Sequence, residues 1–343
     1  MRIAAVVATY NRKGLLVECI GAVLGQTRPP DAVFLVDNAS TDGTFDCLKE
    51  NGFVGEGPDS TWVSPDGKSI RIRYDRMTEN TGGAGAFHEG VRRAYEAGFD
   101  WLWLMDDDAR PEACALQRLE EYLEREKPGD VAVLASKVVD RKGDIMYLHR
   151  GWFDRNLLKS TPLSHDSYNT PGAVEIGYAS FVGFLLNSRA IAKAGLPNKD
   201  YFIRYDDVEY SLRLSKAGRL LLINDSLIVH EEQPESSREQ SSREQSNREQ
   251  SNREQGLLDF WKMYYGLRNM AFMSRERYRA GRAEIFFKIF LRHLVRIFLF
   301  YPFKREKCAI VLRAYRDFLW KRSGKMLDPG AYTEKIRRRY LRS

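Results

Sequence analysis

Four short apolar runs and one alternating stretch recur along the first 136 residues, and between them the sequence switches to helical periodicity. "IAAVVA" (3–8), "AVFLVD" (32–37) and "VAVLAS" (131–136) are hydrophobic stretches one strand long; "DWLWLM" (100–105) is apolar after its first residue, and "IRIRYDR" (70–76) alternates. A continuous apolar strand must be buried on both faces, which happens when helices cover both sides of a parallel sheet. The stretches between supply those helices. Leu15, Leu16, Cys19, Ile20 and Val23 fall on one side; "GAFHEGVRRAYEAG" ends at Gly98; "PEACALQRLEEYLEREK" places Pro111 in an expected first turn. This alternation predicts βαβ units and a doubly wound, mostly parallel α/β sheet. Ligands of such sheets bind beyond the carboxyl ends of the strands. The polar groups at that edge are "TYNR" (9–12), "DNAS" (37–40), the glycine-rich "NTGGAGAF" (80–87) and "DDD" (106–108).

Residues 137–232 are mixed, with short strands in "VEIGYASFVGFLLN", a helix near 206–217, then "RLLLIN" and "SLIVH". They read as the acceptor half of one domain, 1–232, whose nucleotide half is 1–136. Residues 233–255 hold a tandem repeat, SSREQ SSREQ SNREQ SNREQ, without an apolar residue to bury. It reads as a solvated, mobile insertion. The remainder, 256–343, reads as a basic helical region.

Charge separates these parts. Residues 256–343 carry 22 Lys and Arg against 7 Asp and Glu, a net +15, so the first 255 residues carry −8. A basic segment on an acidic body points to an anionic partner. In "AEIFFKIFLRHLVRIFLFYPFKREK" (283–307), Lys288, Arg292 and Arg296 recur every four residues beside an apolar face. The longest uncharged run, Ile297–Phe303, is far short of the roughly 20 residues that span a bilayer. The pattern predicts one helix lying on an anionic membrane surface. No motif supports nucleic-acid binding. The four cysteines, Cys19, Cys47, Cys114 and Cys308, lack metal-ligand spacing and read as free thiols of a reducing compartment. The N-terminus has the length of a strand and not the pattern of a signal peptide.

Three adjacent carboxylates repel one another unless a positive group sits among them. On an extended chain Asp106 and Asp108 share a side and Asp107 points away. Two carboxylates at a strand end suit Mg²⁺ or Mn²⁺, and His230, ending the strand of "IVHEE", can add a nitrogen. Asp37 is placed to accept hydrogen bonds from a ribose or base. The glycines of "NTGGAGAF" let backbone approach a ligand at a helix N-terminus. In "YDDVEYSLR" (205–213), Asp206 and Glu209 have capping-box spacing, which leaves Asp207 in the first turn as a candidate general base.

In this order, "VVATYNR", "VDNASTDGT", "NTGGAGAFHEG", "WLWLMDDDARPE", "YDDVEYSLRLSKAG" and "IVHEE" resemble the family 2 glycosyltransferases of GT-A fold. The likeness covers residues 1–232 and is nearest to galactofuranosyl- and rhamnosyltransferases. It implies an inverting enzyme using a nucleotide-diphospho-sugar, with UDP-galactofuranose the first expectation and dTDP-rhamnose the second. The acceptor would be a glycan or lipid-linked glycan of cell-surface polysaccharide synthesis, on the inner face of the cell membrane. The resemblance places Thr9, Tyr10, Asn11, Arg12, Asp37, Asn38, Asn80, Gly82, Gly83, Asp106 and Asp107 around the donor. It places Asp106, Asp108 and His230 on a Mn²⁺ or Mg²⁺ ion and makes Asp207 the base, with Asp206 and Glu209 on the acceptor side or capping the helix. Two features depart from the family pattern. The tandem repeat follows His230, and no aromatic pair of the acceptor site matches near "SFVGFLLN". The contrasting expectation is a non-catalytic nucleotide-sugar or glycan binder on the same fold.

Overall fold

The computed structural model describes residues 1–64, 67–126, 129–231, 260–300 and 303–340; the tandem repeat and its expected mobility lie outside the described residues. Two compact units result. The first contains Met1–Phe153, Ser160–Lys199 and the chain from Asp207 to the end of the last strand. The second contains the helices from Phe260 onward with two short excursions, Asp154–Lys159 and Asp200–Asp206.

The first unit is built on a ten-stranded sheet. Its centre is β1 (Ile3–Thr9), flanked in parallel by β2 (Ala32–Asp37) and by the strand Trp101–Asp106. Counting in chain order, β3 is Asp59–Val63, β4 Ser69–Arg76, β5 Trp101–Asp106, β6 Ala109–Pro111 and β7 Val131–Val139. The later strands of this sheet are β10 (Ala173–Glu175), β12 (Phe184–Asn187) and β13 (Arg219–His230); β8 (Arg150–Asp154), β9 (Lys159–Pro162) and β11 (Tyr178–Ala179) form a separate three-stranded sheet. The order in the large sheet is β10-β13-β7-β12-β5-β1-β2-β4-β3, with β6 on β13.

Side chains of β1 alternate between two cores. Ile3, Ala5 and Val7 join Leu16, Cys19 and Ile20 of α1 (Lys13–Leu24) on one face. Ala4, Val6 and Ala8 join Phe87, Val91 and Ala94 of α3 (Gly82–Glu96) on the other. Two-sided burial is why the strand is apolar throughout. Helix α3 lies close on β1 because residue 90 is glycine; a Cβ there would stand 2.4 Å from Val6 Cγ1 and 3.1 Å from Val36 Cγ2. The other helices of this unit are α2 (Thr44–Glu50), α4 (Ala115–Glu126), α5 (Ser188–Ala194) and α6 (Asp206–Leu214), the last bridging the unit boundary at its first residue.

Several details differ from the sequence expectation. An antiparallel strand, β12, lies between β5 and β7, so the fifth predicted strand is not a direct neighbour of the fourth. "RLLLIN" and "SLIVH" are one strand, β13, with a register shift between Ile223 and Leu227. Pro111 ends β6 instead of opening a helix; α4 starts at Ala115. A ring without an N–H suits a strand end as well as a first helical turn.

The second unit is helical: Phe260–Tyr278, Arg282–Ile285, Arg292–Phe300, Lys304–Leu319 and Pro329–Tyr340. The single helix expected over 283–307 is broken. A π-helical stretch, Phe286–Leu291, intervenes, and Phe303 has φ +55° where the next helix begins. The basic stripe is thereby partly used inside the unit: Lys288 pairs with Glu284 at 2.7 Å, and Arg292 donates to the Leu157 carbonyl at 2.9 Å. Ile285, Ile289, Phe290 and Ile297 are buried, whereas Phe287, Val295, Phe298, Leu299 and Phe300 are exposed.

Candidate active site

Register alone collects most of the predicted residues at one edge. Thr9 pairs with Asp37, Ala8 with Asp106, and Asp37 with Arg76, so the carboxyl ends of β1, β2, β4 and β5 stand side by side. His230 arrives from a distant part of the sequence. Antiparallel pairing of β6 with β13 sets His230 opposite Ala109, and the Glu231 N–H donates to the Asp108 carbonyl at 2.8 Å. The imidazole Nε2 then lies 3.2 Å from Asp108 Oδ1. Glu231 is itself tied to Arg141 and lies near Arg110.

Ligand-type atoms of Asp106, Asp108 and His230 all fall within 4.8 Å of one another. The chain turns at Asp107–Asp108 instead of staying extended, yet Asp106 and Asp108 share this cluster and Asp107 leaves it. Asp107 turns to the β1–α1 loop, accepting from Thr9 Oγ1 at 2.7 Å, Tyr10 N at 3.3 Å and Arg12 Nη1 at 3.3 Å. Arg12 Nη1 also donates to Asp108. The positive group among the three aspartates is therefore a half-exposed arginine from strand 1's loop.

Arg12 does not neutralise the trio. Loss of hydration, and then the Asp108 charge, push Asp106 up to about 8. Burial likewise lifts Asp107 to about 6 against the pull of Arg12. Burial opposes the Asp108 charge too, but His230 and Arg12 outweigh it and hold that carboxyl low. Two carboxylate oxygens and one imidazole nitrogen converging where burial works against carboxylate charge fit a divalent cation with mixed O/N ligation.

The residues expected on the nucleotide side form a connected loop system. Asp37 is buried and accepts from Ser40 N at 2.8 Å and from the Tyr74 hydroxyl. Burial, and then the hydrogen bond to Asp37, push the Tyr74 phenol up. Asn38 donates to Asn80 Oδ1 at 3.0 Å and accepts from Thr81 N at 2.9 Å; Asn80 Oδ1 also accepts from Gly82 N at 2.8 Å. Asn38 and Asn80 thus shape the glycine turn, where Gly82 has φ +74° and opens α3, with Gly83 next in the first turn. Asn11, at φ +53°, accepts from Thr41 N at 2.7 Å, and Tyr10 is exposed beside it.

On the other side, Asp207 is half-buried in the first turn of α6, accepting from Val208 N at 2.7 Å. Asp206 begins the helix and is buried; both oxygens of buried Glu209 accept from Arg213. Sequence reading passed over His149 and Arg150. The His149 ring lies 5.1 Å from that of His230, its Nδ1 2.7 Å from Ser180 Oγ; burial, then the neighbouring His230 and Arg150, push it well below the ordinary imidazole value. Arg150 is fully buried and donates to the carbonyls of Ser136, His149, Ser180 and Val182; burial pushes it down to about 10, with Asp207 among the groups opposing that. A lone "HR", with His149 ending a one-turn 3-10 helix and Arg150 opening β8, carries no periodic signal that marks either residue.

A mostly parallel sheet with crossing antiparallel strands and an acidic cluster at its carboxyl edge defines a GT-A transferase. A solved structure titled as GalNAc-T7 with UDP, GalNAc and Mn²⁺ shares this fold at TM-score 0.54 and 13% identity, covering 93% of this chain and 57% of that one. TarS 1–349 of S. aureus does so at TM-score 0.51 and 13% identity, covering 94% and 82%. The model of Glycosyl transferase family 2 matches residues 4–184, and the chain belongs to that family. Among curated relatives, galactofuranosyltransferase GlfT1 of Mycolicibacterium smegmatis is 30% identical over 218 residues, 63% of this chain. GlfT1 of Mycobacterium tuberculosis is 30% identical over 215 residues, 62% of this chain. These matches span 66% and 64% of the relatives' own lengths.

Proposed function

We propose that the chain is an inverting, cation-dependent glycosyltransferase that moves a sugar from a nucleotide-diphospho-sugar to a hydroxyl of a glycan or lipid-linked glycan. UDP-galactofuranose is the first donor, on the strength of the GlfT1 relatives, and dTDP-rhamnose the second. The observation that carries the reading is the convergence of Asp106, Asp108 and His230 beside the β1, β2 and β4 loops.

Asp106, Asp108 and His230 would hold a Mn²⁺ or Mg²⁺ ion, which supplies stabilisation of negative charge on a departing diphosphate. Thr9, Tyr10, Asn11, Arg12, Asp37 and the Asn38–Asn80–Gly82–Gly83 turn form the donor side, with Asp107 fixing the loop that presents Tyr10 and Arg12. Asp207 accepts the proton of the acceptor hydroxyl. The freed oxygen pair forms the bond to the anomeric carbon as the bond to the diphosphate oxygen breaks, which inverts that carbon. Asp206 and Glu209 fix the helix that presents Asp207.

The basic second unit supports attachment to an anionic membrane surface on the cytoplasmic face. Phe298, Leu299 and Phe300 are 68%, 61% and 74% exposed near Arg292 and Arg296, a composition suited to the headgroup boundary. Among the described residues no helix is long and apolar enough to cross a membrane.

The test is a panel of purified nucleotide sugars assayed with wild type and Asp207→Asn. Transfer by wild type, with loss of transfer but retained UDP binding in the variant, is expected. Normal turnover by Asp207→Asn refutes the base; binding without turnover by wild type across the panel favours the non-catalytic binder.

A further inference from the structure

The segment that leads into Asp207 is held in a conformation its side chains resist. Phe202, Arg204 and Tyr205 have φ of +65°, +69° and +65°. Residues with a Cβ rarely adopt this region, and a cluster of them persists only where surrounding contacts over-determine the backbone. Ile203 N–H closes back on the Tyr201 carbonyl at 2.8 Å, a three-residue turn centred on Phe202. Asp206 and Asp207 follow at once.

The contacts that hold this turn come from the helix Phe260–Tyr278, within the same compact unit as Asp200–Asp206. Asn269 is fully buried, and its Nδ2 reaches the carbonyls of Tyr201 at 2.8 Å, Ile203 at 2.9 Å and Arg204 at 2.8 Å. The amide cannot turn over without loss, because its Oδ1 accepts from Arg268 Nε at 3.1 Å and Nη2 at 2.9 Å. Arg268, also fully buried, donates to the carbonyls of Asp200 and Tyr201 at 3.3 Å and of Gly324 at 2.8 Å. Gly324 N in turn donates to the Asp200 carbonyl at 2.7 Å. Phe202 stacks on Tyr265 at 4.8 Å between ring centres.

We propose that Asn269, oriented by Arg268, is a positioning residue for Asp207. It fixes the left-handed turn over 202–205 that sets where α6 begins, and hence where its first-turn carboxylate stands. The inference rests on the reading of Asp207 as the base.

The full-length protein carrying Asn269→Asp retains oxygens for Arg268 and loses the three donor contacts. It and Asp207→Asn are compared with wild type by transfer kinetics over the nucleotide-sugar panel, by UDP titration for affinity and site number, and by hydrogen–deuterium exchange. For Asn269→Asp, kcat per UDP-binding site falls by about 100-fold, as displacement of a reacting group by roughly 1 Å does. Donor KM and UDP affinity stay within about twofold, and exchange rises across 201–209. A kcat per site within about threefold of wild type overturns the proposal. If Asn269→Asp loses UDP sites instead, Phe202→Leu decides: lowered kcat at full site number supports positioning, and unchanged kcat refutes it. Normal turnover by Asp207→Asn overturns the base and the positioning together, whereas an inactive Asp207→Asn beside a fully active Asn269→Asp overturns positioning alone.

Discussion

On the proposed reading of Asp106, Asp108 and His230 as cation ligands, a cation and a proton would compete for the same oxygen and nitrogen atoms, and the competition would have a measurable slope. The carboxyl of Asp106 is raised to about 8 by loss of hydration and by Asp108, while an unfolded aspartate titrates near 3.9. Between those values the metal-free folded chain holds a proton that the unfolded chain has released. Metal-free stability from this group is therefore fully present at low pH and is lost as pH rises toward 8. Cation binding must expel that proton, so apparent Mn²⁺ affinity rises with pH over the same window. One proton released per ion gives close to tenfold between pH 6.5 and 7.5, or about 1.4 kcal/mol, levelling above 8. Electron paramagnetic resonance of free Mn²⁺ gives the affinities. Calorimetry in two buffers of different ionisation enthalpy counts the proton. In Asp106→Asn the slope should flatten. Affinity constant within twofold from pH 6.5 to 7.5, with no proton released, would refute the argument that the acidic trio stores a proton for want of a cation.

Three further outcomes follow from the same geometry. Arg12→Gln removes the cation that bridges Asp107 and Asp108; since Arg12 is half exposed, the metal-free chain loses only about 1 kcal/mol, and Mn²⁺ affinity rises several-fold in the same titration. Gly90→Ala forces a Cβ against Val6 and Val36, and overpacking costing about 1–3 kcal/mol outweighs the roughly 1 kcal/mol of helix propensity gained, so the urea midpoint falls; a raised midpoint would show that α3 moves off β1 freely. Glu89 is held to about 2, foremost by Arg92 and then Arg93. Its contribution is complete above the ordinary glutamate value of about 4.3 and is lost as pH falls toward 2. The stability difference between wild type and Glu89→Gln should therefore shrink over that range, and a difference independent of pH would exclude the ion pairs as its source.

The apolar runs and helical stretches of residues 1–136 were enough to specify a doubly wound sheet, because burial on both faces leaves a strand no polar position. They also specified which loops share an edge: in a parallel sheet every strand's carboxyl end lies on the same side, so Thr9, Asp37 and Asp106 were bound to lie along one edge, and the strand order then made them neighbours. The antiparallel strand β12 was not legible, since its insertion between β5 and β7 depends on pairing between residues 49 or more positions apart. The same holds for the partners of the three aspartates. Asp107 faces Thr9 and Arg12 because the chain turns after β5, and His230 reaches Asp108 because β6 pairs with β13. The left-handed turn before Asp207, and the Asn269 that grips it, have no local sequence sign at all: no glycine marks the turn, and its conformation is imposed by a helix some sixty residues away. Local pattern, set by side-chain burial, decided the sheet and its functional edge. Long-range pairing, which no short window of sequence encodes, decided how charges and hydrogen-bond donors meet there.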